Sequence, residues 1–585
     1  MKTDIIWKIA GEAGFGIMSA GTMMAKALMR KGYSVIASNE YPSLIRGGHN
    51  VITVRIRTTV ITALKKPVDI LVALNKETVD LHKDELSESE IVLFDPHDYQ
   101  WKERELPKGV KALAIPLTEI VGIAGGEAIM RNTVAIAATF ALIGVDFSSL
   151  ADVIHDQFAG KGTSVVEENE KAARAGYEYI VKQYKEEREE FRLDKATNTT
   201  PHILLNASEA VGLGALSGGM KFAAIYPMTP INALITFFTD HSKEAGIVYK
   251  QPEDEIAGVN MAIGASLAGA RSMVATSGGG FALMEEGISL AGIMETPLVI
   301  DLGMRPGPAT GMPTWTEQGE LGMVIHAGHG EFPRIVFAPG GPDECYTLTK
   351  EAFELADYYQ TPVFILTDKY LNENQWSVPR DVFKAPQAEL LQKEISLNGK
   401  MEFKRYDLAA RDGISARSFP GTKYGEYIAN SYEHDEKGFT TEDASVRTHM
   451  VTKRMKKMKA IIARAKDPDM YGDTNADVTF VSWGSTKGSV LEAMEILKAK
   501  SVKTKLIHFS WVYPLNGEKI AAILAKEKRL IDVECNATGQ FASLLRENTG
   551  VEIKEKLLKF DGRPWYPEEI VNNLKFEIEN TKRRI

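Results

Sequence analysis

Residues 222–276 read FAAIYPMTPINALITFFTDHSKEAGIVYKQPEDEIAGVNMAIGASLAGARSMVAT: short apolar runs (FAAI, IVY, SMVAT) separated by segments of helical period. Each run ends in a turn or capping signal: Pro227 and Pro230 after the first, Pro252 and Asp254 after the second, Ser277 and a glycine triplet after the third. Strands alternating with helices across connections this short specify a parallel sheet with helices on its faces. The pattern continues in both directions, with NASEAVGLGALSGG ahead of it and FALMEEGISLAGIME and PLVIDLG behind. In an open sheet of this kind ligands bind beyond the carboxyl ends of the strands. The polar residues that follow each strand are therefore the ones to weigh.

Working outward, a first α/β domain is expected over 1–185, opening with IIWKIAG, a glycine turn and the helix SAGTMMAKALMRKG, and carrying a mainly parallel sheet. The charged, Thr/Asn-rich stretch 186–203 reads as a linker, and 204–375 is the second α/β domain. Residues 376–465 are polar and short of apolar period, a connecting or inserted segment. A third α/β domain, 466–585, resumes with DVTFVSWGST and contains KTKLIHFSWVYPL, read as one strand. The fold class is α/β, with several doubly wound parallel-sheet domains.

With 585 residues and a net charge of -9, the chain offers no global basic surface for nucleic acid. The patch KRMKKMKAIIARAK reads as a solvated helix face. No apolar run reaches the ~20 residues of a membrane span, and AIAATFALIGV from Ala135 is better placed in a core. The N-terminus shows no export signal. Cys345 and Cys535 are the only cysteines, so no disulfide framework and no self-contained zinc or iron-sulfur site is expected, nor any metal site in this chain. The cytoplasm is the expected compartment.

The glycine turn GEAGFGIMSAG at 11–21 has GxxGxG rather than dinucleotide spacing. It is either a tight strand-to-helix turn or a helix N-terminus offering N–H groups to phosphate. In YPSLIRGGHN, Arg46 faces the same choice between an anion and a neighbouring carboxylate.

Beyond the strands of 222–304 lie Tyr226, Pro227, Met228 and Thr229; then Glu253 and Glu255; then TSGGG; then MRPGPATGMPTWTEQGEL with Arg305. Prolines on either side hold Met228 and Thr229 extended. Thr229 also stands where a helix N-cap belongs, ahead of Pro230 at the expected first helical position. Arg305, among Pro306, Gly307, Pro308 and Gly311, suits either a planar carboxylate or a local salt bridge.

These residues resemble the 2-oxoacid:ferredoxin oxidoreductases, in the form where the γ unit is fused ahead of the α subunit. YPMTP is similar to the family's YPITP signature, and MRPGPATGMPTWTEQGEL to its Arg-Gly-Pro-Ser-Thr-Gly loop. EDEIAGVNMAIGASLAGARSMVATSGGGFALM, DGISARSFPGT, EHDEKGFTTED, SWGSTKG, VECNATGQ and FDGRPWYPEEI also match, in order, along nearly the whole chain. The resemblance implies a γ-like domain, a thiamine-diphosphate pyrimidine-type domain and a transketolase C-terminal-like domain.

It further implies half of an active site, with thiamine diphosphate shared with a β subunit that supplies the diphosphate site, its Mg and a 4Fe-4S cluster. Heterodimers or dimers of heterodimers are implied, with ferredoxin as electron acceptor and coenzyme A as co-substrate. Glu255 matches the glutamate on the pyrimidine nitrogen, Tyr226, Pro227 and Thr229 border the cofactor, and Thr229 and Arg305 match the groups that hold the 2-oxoacid. Glu253 lies outside the motif. The glycine turns at 11–21 and 46–48 are given a phosphate, coenzyme A or interface role. Ile231 and Asn232 replace the family's serines and Pro306 and Ala309 alter the arginine loop, which bears on substrate. 2-Oxoglutarate-type and broad-specificity members are the nearest pattern, with Ile231 making the pocket edge more apolar. Pyruvate or branched-chain 2-oxoacids, another electron acceptor, and a non-catalytic assembly subunit that kept the fold are the alternatives.

Overall fold

Residues 1–44, 47–98, 106–384 and 403–582 are described by a computed structural model, in which the stretch quoted above builds one flank of a seven-stranded sheet. Its strands run, side by side, Trp511–Tyr513, Ile335–Phe337, Pro362–Asp368, Leu298–Met304, Ser272–Thr276, Phe222–Ala224, Val248–Lys250. All pairs are parallel except the first. Leu298–Met304 and Pro362–Asp368 are buried at every position, as strands covered on both faces must be. Phe222–Ala224 connects to a strand on one side, Val248–Lys250, while Ser272–Thr276 connects to Leu298–Met304 on the other. The chain thus reverses direction between Phe222–Ala224 and Ser272–Thr276, and that switch point opens a crevice at their carboxyl ends.

The same unit, Asn206–Glu373 with Phe383–Ile585, holds a five-stranded sheet in the order Asp469–Gly472, Thr504–Phe509, Val478–Trp483, Leu530–Glu534, Glu555–Leu558. KTKLIHFSWVYPL is not one strand. It divides at Ser510, whose carbonyl accepts from Ala338 N at 2.8 Å, so that Thr504–Phe509 stays in the five-stranded sheet and Trp511–Tyr513 adds an antiparallel edge to the seven-stranded one. One hydrophobic cluster accordingly runs from Val274, Ile300 and Phe364 to Trp483, Phe509 and Phe541.

The other unit, Met1–Leu205 with Asn374–Val382, carries an eight-stranded sheet. Asp4–Glu12, Val68–Ala73, Leu86–Phe94 and Lys111–Ala114 are parallel. Ser34–Glu40 and His49–Arg57 pair antiparallel, because the stretch between them is too short for the crossover a parallel pair requires, and Gln375–Pro379 and His202–Leu205 extend the sheet antiparallel. This sheet is therefore mixed where a mainly parallel one was expected. Helix Ile17–Arg30 lies close on it: a Cβ on Gly21 would come within 2.1 Å of Ile52, so only glycine permits the approach. Helix Arg131–Leu142, which contains AIAATFAL, is buried from Asn132 to Leu142, as an all-round apolar helix should be. Among the described residues no helix is long and apolar enough to cross a membrane.

The segment read as a linker contains helix Lys185–Phe191 before the chain enters strand His202–Leu205. Of the segment read as connecting, Gln375–Pro379 returns to the eight-stranded sheet, and Ala444–Arg464 is a 21-residue helix. The basic patch on that helix is solvated only in part. Lys453 and Lys457, one turn apart, are each 1% exposed and clamp buried Glu295, with Nζ to carboxylate distances of 2.7 and 2.5 Å. Arg454 is bidentate on Glu433. Lys456, Lys459, Arg464 and Lys466 keep to solvent.

Candidate active site

Thr229 sits in a turn closed by Ile231 N donating to the Met228 carbonyl (3.0 Å), with the Thr229–Pro230 peptide cis. Helix Asn232–Ala245 starts only after this turn and is capped by Ile231 without any side-chain hydrogen bond. Thr229 is therefore not the N-cap, because the turn takes up the residues that a cap and first helical position would need. Its hydroxyl instead accepts from Asn232 Nδ2 at 3.5 Å, and its carbonyl accepts from Arg305 Nη1 at 2.5 Å. Two of the three groups singled out in the sequence are thus tied directly to each other. Ile231 is 0% exposed and packs toward Gly303, so it does not border a pocket; Asn232, which is exposed, is the neighbour of the Thr229 hydroxyl.

Glu255 opens helix Glu255–Leu267, whose N-cap Asp254 accepts from Ala257 N at 2.8 Å. The cap fixes the first turn, and Glu255 is 3% exposed while Glu253 points to solvent. Thr276 Oγ1, at the end of the neighbouring strand, donates to Glu255 Oε1 at 3.3 Å and lies 3.9 Å from Met228 Sδ. The YPMTP turn, the Glu255 helix and the strand before the glycines therefore meet at the switch point. Tyr226 is 37% exposed and Pro227 is also exposed, on the outer side of this meeting.

The glycine triplet has a specific reason. A Cβ on Gly280 would meet Thr276 Oγ1 at 2.1 Å and Glu255 Oε1 at 2.2 Å, and one on Gly278 would meet Glu320 Oε1 at 2.7 Å. Gly279 between them has open space. Two carboxyl groups are thus received on one turn, leaving its middle free for a ligand to approach.

Arg305 follows strand Leu298–Met304 and is nearly buried. Its loop is held by a turn at Gly311, where φ is +54° and any Cβ would fall 1.7 Å from the Pro306 carbonyl. Arg305 lines a cavity of about 590 Å³ together with Ser277, Gly279, Glu317, Glu320 and, from the C-terminal part of the chain, Asn536 and Gln540. Burial lowers the Arg305 pKa, against the pull of Glu320. Burial pushes the Glu320 carboxyl up to about 8, reinforced by the charge of Glu317 and opposed by Arg305.

Glu317, Glu320, Asn536 and Gln540 were not singled out as site residues from the sequence. Their only signal was membership of the quoted stretches TEQGEL and VECNATGQ. The two stretches are bolted together: Gln318 Nε2 donates to the Trp483 carbonyl (2.9 Å), Gln318 Oε1 accepts from Cys535 N (2.9 Å), and Gln540 bridges Gly319 O (2.7 Å) and Gly322 N (2.8 Å). Buried Glu534 accepts from Phe541 N, Ala542 N, Trp483 Nε1 and Asn536 Nδ2, which pins the loop and the start of helix Gln540–Thr549.

In the N-terminal unit, the turn at 11–16 is joined to Gly48 by Ala13 N donating to its carbonyl (2.9 Å). Gly14, Phe15, Arg131 and Asn132 line a cavity of about 140 Å³ there. Arg46 lies outside the described residues.

The parallel sheet with a capped buried glutamate at its switch point, an arginine across the crevice and an appended five-stranded domain is matched, by family, to the class of thiamine-diphosphate-binding α/β oxidoreductases. Three family models agree. Residues 6–179 match pyruvate ferredoxin/flavodoxin oxidoreductase, 213–453 match the thiamine-diphosphate-binding region of pyruvate flavodoxin/ferredoxin oxidoreductase, and 472–558 match the transketolase C-terminal domain. The chain is 32% identical to 2-oxoacid:ferredoxin oxidoreductase 2 subunit alpha of Aeropyrum pernix, over 100% of this chain and 99% of that one. It is 30% identical to 2-oxoglutarate synthase subunit KorA of Archaeoglobus fulgidus, over 57% of this chain and 88% of the relative. It also superimposes, with TM-score 0.91 and 32% identity over 99% of its length and 100% of the other chain, on a 2-oxoglutarate:ferredoxin oxidoreductase from Magnetococcus marinus solved with 2-oxoglutarate, coenzyme A and succinyl-CoA bound. The chain belongs to the 2-oxoacid:ferredoxin oxidoreductase alpha-subunit family and is an oxidoreductase subunit.

Proposed function

We propose that this chain, with a β subunit carrying the diphosphate and Mg site and a 4Fe-4S cluster, oxidatively decarboxylates a 2-oxoacid with coenzyme A to acyl-CoA and CO2, reducing ferredoxin. 2-Oxoglutarate is the favoured substrate, on the likeness to the Magnetococcus enzyme and the KorA proteins. The observation that carries the reading is the buried Glu255 carboxylate at the switch point, received by Gly280, beside the tied pair Thr229 and Arg305.

That arrangement fits thiamine diphosphate: the carboxylate is fixed by a capped helix and by Thr276, and Gly279 leaves room for a flat ring. When bound, the cofactor supplies the carbanion chemistry of decarboxylation. Glu255 holds and returns the proton exchanged with the pyrimidine nitrogen. Thr229, kept in place by Asn232 and by the Arg305 bond to its own carbonyl, directs its hydroxyl to the 2-oxo group. Arg305 binds the substrate carboxylate. Asn232 takes over the role in substrate choice that buried Ile231 cannot fill.

The exposed apolar side chains near the crevice, Ile256 and Met261 on the Glu255 helix and Leu283 after the glycine triplet, form the surface we assign to the β subunit. The two buried free thiols favour a cytoplasmic location. The test is viologen reduction by the copurified complex with 2-oxoglutarate, pyruvate and branched-chain 2-oxoacids, compared by kcat/KM. Reduction that requires both a 2-oxoacid and coenzyme A is expected; none with any member of the panel would overturn the reading.

A further inference from the structure

Of the two cavity carboxyls that none of the roles above uses, Glu317 and Glu320, Glu320 is the more deeply enclosed. It stands beside the buried arginine on the wall formed by the 305–320 loop, and its placement is specific. Oε1 lies over Gly278, where any larger residue would collide with it at 2.7 Å, and Oε2 is enclosed without a hydrogen-bond partner. An enclosed carboxylate oxygen that accepts nothing is costly unless the group carries a proton or gains a donor. Among the described residues no lysine acts on it; Glu317 repels its ionised form, while Arg305 and, more weakly, the backbone N–H groups of Glu320 and Gly319 favour it. Burial and Glu317 prevail, and the carboxyl titrates near 8 rather than in the ordinary carboxylate range.

We propose that Glu320 is a substrate-recognition residue, its protonated carboxyl donating a hydrogen bond across the cavity to an oxygen of the anionic substrate that Arg305 holds. A second cation there would bind the anion as well but would hold its charge more tightly as carbon dioxide departs. A neutral donor fixes orientation without adding to that hold. An ionised Glu320 would instead repel the substrate, so recognition fails as pH rises through its titration. No bond is made or broken at Glu320, and its proton stays on the carboxyl through turnover.

The proposal rests on the 2-oxoacid reading of the same cavity, and two measurements on the whole complex separate the two. In an infrared difference titration, wild type minus Glu320→Gln, the band of a protonated carboxyl is expected at pH 7 and lost near pH 8; this requires no substrate. In steady-state kinetics, KM for the best 2-oxoacid is expected to rise above pH 8 in wild type. Glu320→Gln, which keeps a donor that cannot ionise, should lose that alkaline rise at the cost of a few-fold lower kcat/KM at pH 7. Glu320→Ala should lose roughly tenfold, the worth of one hydrogen bond to a charged group. A carboxylate band at pH 7, or an unchanged alkaline rise in Glu320→Gln, overturns the proposal and leaves the proposed function standing. Absence of turnover with every 2-oxoacid overturns the proposed function and the proposal together.

Discussion

Glu295 and Glu320 are two enclosed carboxyl groups in one unit of the chain, and they are set to opposite states. Burial alone would raise both. At Glu295, Lys457 and Lys453 reverse that and hold the carboxyl well below its usual range, while burial draws Lys457 down to about 7. At Glu320, no lysine is supplied, Glu317 adds to the effect of burial, and the group stays protonated near neutrality. The contrast teaches that burial by itself assigns no role to an acid: a carboxylate neutralised by two lysines fastens a helix, whereas one left without such partners beside a cavity is available to bind a ligand.

The strongest way to break this comparison is Glu295→Gln, which strands two buried lysines. A loss of about 3–5 kcal/mol is expected in urea unfolding of the chain, and a loss below 1 kcal/mol would show that the lysines reach solvent. Glu255→Gln should cost turnover roughly 100-fold or more, as expected for a positioned acid or base, with circular dichroism unchanged. Wild-type rates in that variant would remove Glu255 from the chemistry. Gln540→Ala removes both bonds to Gly319 and Gly322 and should cost about 1–3 kcal/mol of stability, with KM raised because the 305–320 loop carries Arg305 and Glu320; a normal KM would mean the loop holds its shape unaided.

The smallest effect is the most diagnostic. A carboxyl raised in the folded state contributes stability below its unfolded pKa and loses it as pH rises through the folded value; a lowered one contributes above the unfolded pKa and loses it as pH falls. Between about pH 4.5 and 8, wild type should therefore lose stability relative to Glu320→Gln as pH rises. Glu295 stays ionised across that window and loses its contribution only in stronger acid, while Lys457, drawn to about 7, gives up its proton in the upper part of the window. Paired denaturation curves at pH 5 and 8 measure the difference, and parallel trends in both variants would contradict it.

How far the site was legible follows from where its parts lie in the chain. Thr229, Glu255 and Arg305 stood out because each follows its own strand, and short strand-to-helix loops announce themselves by prolines, caps and glycines. Asn232 and Ile231 were both visible, but which one bordered the Thr229 hydroxyl depended on the turn at 228–231, and the answer reversed the expected apolar edge. Gln540 meets Gly319 across a separation of 221 residues, and Lys453 meets Glu295 across 158. No local pattern marks a partner at that range, which is why a lysine-rich helix face looked solvated and why Glu320 passed as one acid among several.

The sequence by itself determined the alternation of strands and helices, the α/β class, the three local motifs of the crevice and the resemblance that names its chemistry. Those are properties of short windows, set by hydrophobic period, proline and glycine geometry and capping. Only the tertiary structure decided that Trp511–Tyr513 crosses to the neighbouring sheet, that Gly278 and Gly280 each receive a carboxyl group, and that one enclosed glutamate is neutralised by lysines while another keeps its proton. The reason is electrostatic: the cost of a buried charge depends on what stands within a few ångströms of it, and those neighbours are brought together by the fold rather than by the order of residues.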